Sequence, residues 1–276
     1  MRVYVLASGS DGNAAVVESA CGARVLVDAG IGVQSLVQKL VDLGAGGMPD
    51  AIVVTHAHKD HVGQAARISK RLRIPVYALE ATAAAARLGD RVRLFGPREP
   101  FAVGGLLVEP VPVPHDAEEV ALRLSDARRS VAIATDVGEV TQPLVDHVAR
   151  CDVVMVESNH DLDMLRWGPY PPFLKRRVES ARGHLSNEQT HALLRRLSLS
   201  VRAVVLTHLS RTNNRPDIAL EVARDALAGR RVHLAAAAPR APFVVDADAP
   251  PPESPLPARP GRRPVRVASE QLSLFG

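Results

Sequence analysis

The segment Thr55-His56-Ala57-His58-Lys59-Asp60-His61 places three imidazoles and a carboxylate within six residues, directly after the apolar run Ala51-Ile52-Val53-Val54. A buried strand must deliver the chain to a tight loop there. Alternation along an extended backbone turns His56 and His58 to one side, toward one cation, and leaves Asp60 and His61 to turn toward a second. Imidazole nitrogen and carboxylate oxygen at this density suit zinc, with ligand distances of about 2.0–2.2 Å, better than calcium or magnesium. Manganese accepts the same donors. A solvated His-rich loop has no reason to follow a core strand or to keep H-x-H-x-D-H spacing.

The chain has 276 residues and 46% hydrophobic content, enough for a substantial core. No apolar run approaches the ~18 residues of a membrane span, and Met1-Arg2-Val3-Tyr4 moves straight into a strand pattern. A cytoplasmic, nucleoid-associated protein with no membrane partner is expected. Cys21 and Cys151 are the only two cysteines, which gives no disulfide framework. A net charge of +4 with 34 Lys plus Arg is compatible with an anionic partner.

Strand patterns at 2–7, 14–18 and 24–28 form a meander. Helical spacing runs over 33–43, stopping at Gly44, and over 62–72, before Pro75. Further strands are predicted at 51–54, 76–79, 103–113, 120–124, 131–134, 153–157 and 203–206, with helices at 81–88 and 142–149. Ser186-Asn187-Glu188-Gln189 reads as a capping box, and a last helix starts at Pro216. This is an α/β sandwich whose loops at one sheet edge gather the ligands. The expected division is a catalytic domain over 1–243, a disordered Pro/Arg-rich linker over 244–268, and a terminal apolar peptide over 269–276.

H-x-H-x-D-H after a strand, with Asp28 closing an earlier one, resembles the metallo-β-lactamase superfamily and implies its four-layer αββα fold. On that resemblance, His115, Asp136 and His208 complete a two-zinc ligand set with His56, His58, Asp60 and His61. Asp136 would bridge the metals, Asp60 would also serve catalysis, and Asp28 would orient a ligand imidazole from behind. The segments Ala7-Ser8-Gly9-Ser10-Asp11-Gly12-Asn13, Glu157-Ser158-Asn159-His160-Asp161, Gly183-His184-Leu185-Ser186-Asn187 and His208-Leu209-Ser210-Arg211-Thr212-Asn213-Asn214 resemble the YycJ/WalJ-type branch.

That branch implies DNA phosphodiester hydrolysis with 5′-to-3′ exonuclease activity and a place in DNA repair. His184 then becomes a stabiliser of the transition state, and Ser8, Ser10, Asn13, Arg211, Asn213 and Asn214 become substrate contacts. Asp11 stands where a second serine is common, leaving the loop's backbone N–H groups as a candidate anion nest. Lys175, Arg176 and Arg177 follow Trp167, Tyr170 and Phe173, a mix of charge and aromatic faces. Gln271-Leu272-Ser273-Leu274-Phe275 resembles the pentapeptide that docks bacterial repair proteins on the DNA sliding clamp, the β-clamp. Two other functions compete: a thioester, lactone or cyclic-nucleotide hydrolase, which needs an apolar pocket, and a non-enzymatic DNA-associated scaffold stabilised by metal.

Overall fold

Every core strand of this chain is apolar on both faces, so each sheet must be covered twice. The computed structural model, which describes residues 1–238 and 241–257, meets that demand with two seven-stranded sheets stacked face to face and helices on both outer surfaces. The first sheet holds β1 (Arg2–Ala7), β2 (Ala14–Glu18), β3 (Arg24–Val27), β4 (Ala51–Val53), β5 (Val76–Ala78) and β6 (Val92–Leu94) in chain order. The second holds β7 (Phe101–Val103), β8 (Leu106–Val113), β9 (Glu119–Ser125), β10 (Ser130–Ala134), β11 (Val153–Glu157), β12 (Ala203–Thr207) and β13 (His233–Ala236). A last strand, β14 (Phe243–Asp246), returns to the first sheet beside β1.

Both sheets follow the same plan. An antiparallel meander, β1 to β3 in one and β7 to β10 in the other, gives way to parallel strands joined through helices. Parallel strands share a carboxyl end, so their outgoing loops gather along one rim. The period-2 alternation of side chains sorts the core into three layers. Val3, Val5, Val53, Val153 and Val205 fill the space between the sheets. Their neighbours Tyr4, Leu6 and Ile52 pack against α1 (Val33–Asp42) and α3 (Ala65–Leu72). Val154, Val204 and Leu206 meet α5 (Gln142–Val148), α8 (Asn187–Leu194) and α9 (Pro216–Ala226). Truncating a fully buried Ile52 to alanine would cost about 2–5 kcal/mol.

Local rules account for several boundaries. Ser186 and Gln189 form the reciprocal capping box at the start of α8. Pro216 opens α9 at its first turn. The strand expected over 103–113 is two strands, because Gly104, at φ +57°, turns the chain between β7 and β8. The helix expected over 62–72 is likewise two, α2 (Lys59–Val62) and α3, separated at Gly63-Gln64. Short elements escape the pattern: α4 (Glu80–Ala86) is found near its expected place, but β6, α6 (Leu162–Trp167) and α7 (Pro172–Glu179) have no clear periodicity.

The boundary at 243 is corrected. Residues 244–257, read from their proline content as linker, include most of β14 and remain tied to the fold. Val244 and Val245 pair with Tyr4 and Val3, and Asp248 accepts a 2.9 Å bond from the Met1 ammonium. Leu256 exchanges backbone bonds with Arg230 and Gly229. The strand β14 itself contains no proline; the proline-rich stretch begins after it, at Pro250. The rest of the expected linker and the whole peptide Gln271 to Phe275 lie outside the described residues.

Candidate metal centre

Strand ends and loops on the shared rim converge on a dense cluster of imidazoles and carboxylates. His56, His58, His115 and Asp136 each bring one donor atom within 4.8 Å of the others, and Asp60, His61, Asp136 and His208 do the same beside them. Asp136 belongs to both sets. Its Oδ2 lies 3.3 Å from His56 Nε2 and 3.0 Å from His61 Nε2. Asp60 Oδ2 is 3.5 Å from His61 Nε2 and 3.7 Å from His208 Nε2, while His58 Nδ1 faces His115 Nε2 at 3.4 Å. His56 and His58 lie on the loop after β4, whereas Asp60 and His61 lie on the short helix α2 that follows.

The outer nitrogen of each ring is held from behind. His61 Nδ1 meets Asp28 Oδ2 at 2.7 Å, and Asp28 Oδ1 accepts the Thr55 N–H. His115 Nδ1 meets the Gly183 carbonyl at 3.1 Å. Glu119 stands 3.3 Å from His56 Nδ1, and Asp116 Oδ1 is 3.1 Å from His58 Nε2. Glu157 Oε2 meets both His208 Nδ1, at 3.2 Å, and His184 Nδ1, at 2.8 Å. These contacts fix which nitrogen carries the proton and turn the other lone pair inward. His208 Nδ1 also touches Asp136 Oδ1. His184, Glu157, Asp136 and His208 form a third close group on the same rim.

The backbone is bent to make this possible. Asp28, Asp136 and His208 all sit in the left-handed region, at φ +59°, +54° and +51°. Non-glycine residues rarely adopt it, and such outliers persist where the surroundings dictate them. Behind them the loop 8–13 packs backbone to backbone on the loop carrying Asp60: Asn13 N–H donates to the Asp60 carbonyl at 2.7 Å. Gly30 is required there, since a Cβ would collide with the Asp60 carbonyl and with the Asn13 nitrogen.

Electrostatics follow from burying this much charge. Burial, helped by the neighbouring His184 and His56 imidazoles, pushes His115 down to about 4, and burial, helped by the Asp136 charge, pushes Glu119 up to about 8. Burial opposes charge on His56 too, yet Glu119 and Asp136 carry it up to about 9. Asp136 is held well below the usual carboxylate range against its own burial by His208 and His61, whose imidazoles rise in turn. Protons supply here the positive charge that a cation supplies on binding, and metal entry would expel them.

A metal fits these residues. His56 Nε2 and His208 Nε2 are buried without a hydrogen-bond partner, a cost native structures accept rarely. Both point into the two donor sets. With only nitrogen and carboxylate donors, this is a divalent-metal site. It opens into a cleft of about 160 Å³ lined by Ser10, Asp116, Tyr170, Arg177, Arg182 and His184. A larger hollow of about 600 Å³ lies elsewhere, lined by Arg67, Lys70, Arg71, Leu72 and Arg73, with no histidine, cysteine or carboxylate among them.

The geometry decides the family. The model of the beta-lactamase superfamily domain matches residues 23–209, which carry every donor described above. The chain belongs to that superfamily and is a metal-dependent hydrolase. Exodeoxyribonuclease WalJ of Streptococcus pneumoniae is 32% identical over 229 residues, 79% of this chain and 85% of the relative. Exodeoxyribonuclease YycJ of Bacillus anthracis is 33% identical over 79% of this chain and 86% of its own. The zinc-bound crystal structure of PqqB from Methylobacterium extorquens superposes with a TM-score of 0.67 at 17% identity, covering 89% of this chain and 100% of the other. The fold is shared at that distance.

Several residues expected to contact substrate make bonds within the protein. Ser8 Oγ accepts the His208 N–H at 2.7 Å, and Asn13 bonds Gly9 and Asp60, so both hold the metal loops in place. Asn214 uses its side chain on Ser158, Asn187 and Arg215. Asn213 is fully buried. The N–H groups of Gly9, Gly12 and Asn13 are all engaged within the protein. Arg211 reaches Asp11 at 2.7 Å on the surface, and Ser10 alone of this group lines the cleft. Sequence reasoning assigned no role to Asp116, Glu119 or Glu157. Glu157 had a signal: it closes an apolar core strand as Asp28 does. His160 is buried among the loops, bridging to Ser186 through its backbone.

Proposed function

We propose that the protein is a two-metal DNA phosphodiesterase, an exonuclease working in the 5′-to-3′ direction in DNA repair. In this reading His56, His58, His115 and Asp136 hold one zinc or manganese ion, and Asp60, His61, Asp136 and His208 hold the other. The observation that carries it is Asp136 Oδ2, placed within 3.3 Å of a histidine from each donor set. When bound, a pair of divalent cations supplies the Lewis acidity for in-line attack of water at phosphorus. The relatives named exodeoxyribonuclease support DNA as the substrate.

The chain's own groups complete the arrangement. His184, held by Glu157 and raised in pKa by it despite burial, presents its imidazole to the cleft for the charge that develops on a transferring phosphoryl group. Arg177 and Arg182 line the same opening and favour a phosphate diester over an uncharged ester or lactone. At about 160 Å³ the cleft is small for a typical small-molecule pocket of ~300–1,000 Å³, while a polymer needs only its scissile phosphate inside. No helix among the described residues is long and apolar enough to cross a membrane. The reading places the protein at the nucleoid, tethered by Gln271, Leu272, Ser273, Leu274 and Phe275 to the sliding clamp.

Purified protein should carry about two metal ions per chain and release nucleotides from linear DNA, and a chelator should abolish that release. Release that persists after metal is stripped would end the proposal. So would hydrolysis of a thioester, lactone or cyclic nucleotide with no action on DNA.

A further inference from the structure

We infer that the α6–α7 hairpin is a nucleobase-stacking platform that takes an unpaired DNA strand into the cleft. The inference rests on the phosphodiesterase reading and adds which form of the substrate the site accepts. Trp167 is 81% exposed and Phe173 is 67% exposed, and they are the exposed aromatic side chains among the described residues. Each leaves a large apolar face in water, and most other aromatics of the fold are buried or packed against the core. Both stand on the hairpin that walls the catalytic cleft.

Helix α7 joins platform to site. Leu174, Arg177 and Val178 line the cleft, and Phe173 lies one helical turn before Arg177, so the two are neighbours on the helix surface. Arg177 is fixed by two bonds to Asp116 Oδ2, at 3.0 and 2.5 Å, and the other oxygen of Asp116 touches His58 and His115. The wall is therefore braced against the donor cluster itself. Arg166 lies over the Trp167 ring at 5.8 Å, and Lys175 donates to the Arg166 carbonyl, holding the two helices together. The segment 161–184 carries Arg166, Lys175, Arg176, Arg177 and Arg182 against Asp161, Asp163 and Glu179.

Exposed π faces interleaved with cations fit one kind of ligand: a strand whose bases are free to stack and whose phosphates follow. A paired duplex hides the faces of its bases. A strand entering this way presents one phosphate to the metals while adjacent bases rest on Trp167 and Phe173.

Trp167 is the chain's one tryptophan, so its emission reports the platform directly. The test mixes metal-loaded protein with a phosphorothioate single strand and, separately, with an abasic strand of equal length and charge. The base-bearing strand should quench emission and the abasic strand should not. Trp167→Ala with Phe173→Ala should raise KM for single-stranded DNA by roughly 10²-fold, and Trp167→Phe should stay within about threefold of wild type. Equal quenching by both strands, or an unchanged KM in the double variant, overturns the platform. Nucleotide release by wild type is scored apart from quenching. Quenching without release on any DNA would sink the nuclease reading and sustain the platform, whereas release without quenching would do the reverse.

Discussion

The half of the molecule built on the first sheet brings its donors to the rim in one segment, and the half built on the second sheet brings them one at a time. His56, His58, Asp60 and His61 share the short segment running from the end of β4 into α2, whereas His115, Asp136, Glu157, His184 and His208 arrive on successive strand ends and loops of the other sheet. All three histidines of the first half lie in that segment; of the seven in the second, His115, His184 and His208 reach the cleft. The topology of the two sheets is alike, so the difference is one of assembly. A contiguous motif is positioned by local geometry. A dispersed set is positioned only when the whole sheet has formed.

Asp136 is the residue on which the two assemblies meet, and its loss should be the most severe. Asp136→Asn is expected to lower DNA hydrolysis by ~10³-fold or more, with the metal count per chain falling, since a shared carboxylate no longer offsets two cations. A variant with wild-type rates would show that the halves hold their metals separately. Next in size is Glu157→Gln. Glu157 acts through His184 and His208, and accepts the Val137 and Leu185 N–H groups besides; a partner of this kind is worth about 10–100-fold. If metal content measured by atomic emission drops as far as in Asp136→Asn, then Glu157 is itself a ligand.

Acid should separate the halves as well. His147 and His160 of the second half are each pushed down to about 4, His147 by burial and Arg123 and His160 chiefly by burial. A depressed histidine stabilises the fold above its unfolded value near 6.5 and ceases to do so as pH falls toward 4. Hydrogen exchange on the metal-bound protein should show β8 to β12 losing protection before β1 to β5 across that window. Simultaneous loss would mean the sheets unfold as one unit. The smallest effect is expected at Asp11, whose exposed pair with Arg211 spans the halves at the surface. Asp11→Ser should change KM for DNA by no more than about threefold, lowering it as Arg211 is released. A tenfold rise would show that Asp11 supports the site.

The same contrast explains what could be read from the residues. The turn at 55–61 was legible because its spacing carries its geometry, and the buried strands were legible as apolar runs. His115, Asp136 and His208 were legible only through family resemblance: each is a lone polar residue after a strand, indistinguishable locally from any loop residue. Glu119 was hidden for another reason. It opens a strand, where a charge reads as solvent-facing, and only the stacked sheets show that it is fully buried against His56. The tail misled because its prolines begin only at Pro250, beyond the apolar Phe243-Val244-Val245 that pairs with β1 as β14.

The left-handed corners at Asp28, Asp136 and His208 have a practical consequence for anyone making inert forms of this enzyme. Alanine at such a corner carries a backbone penalty of about 1–2 kcal/mol besides removing a functional group, so an alanine scan overstates the chemistry lost there. Asparagine adopts this conformation more readily than other residues with a side chain. Asn at position 136 should therefore keep the turn, the cleft and its lining in register while disabling the reaction, which makes it the replacement of choice for trapping the protein on an uncut strand.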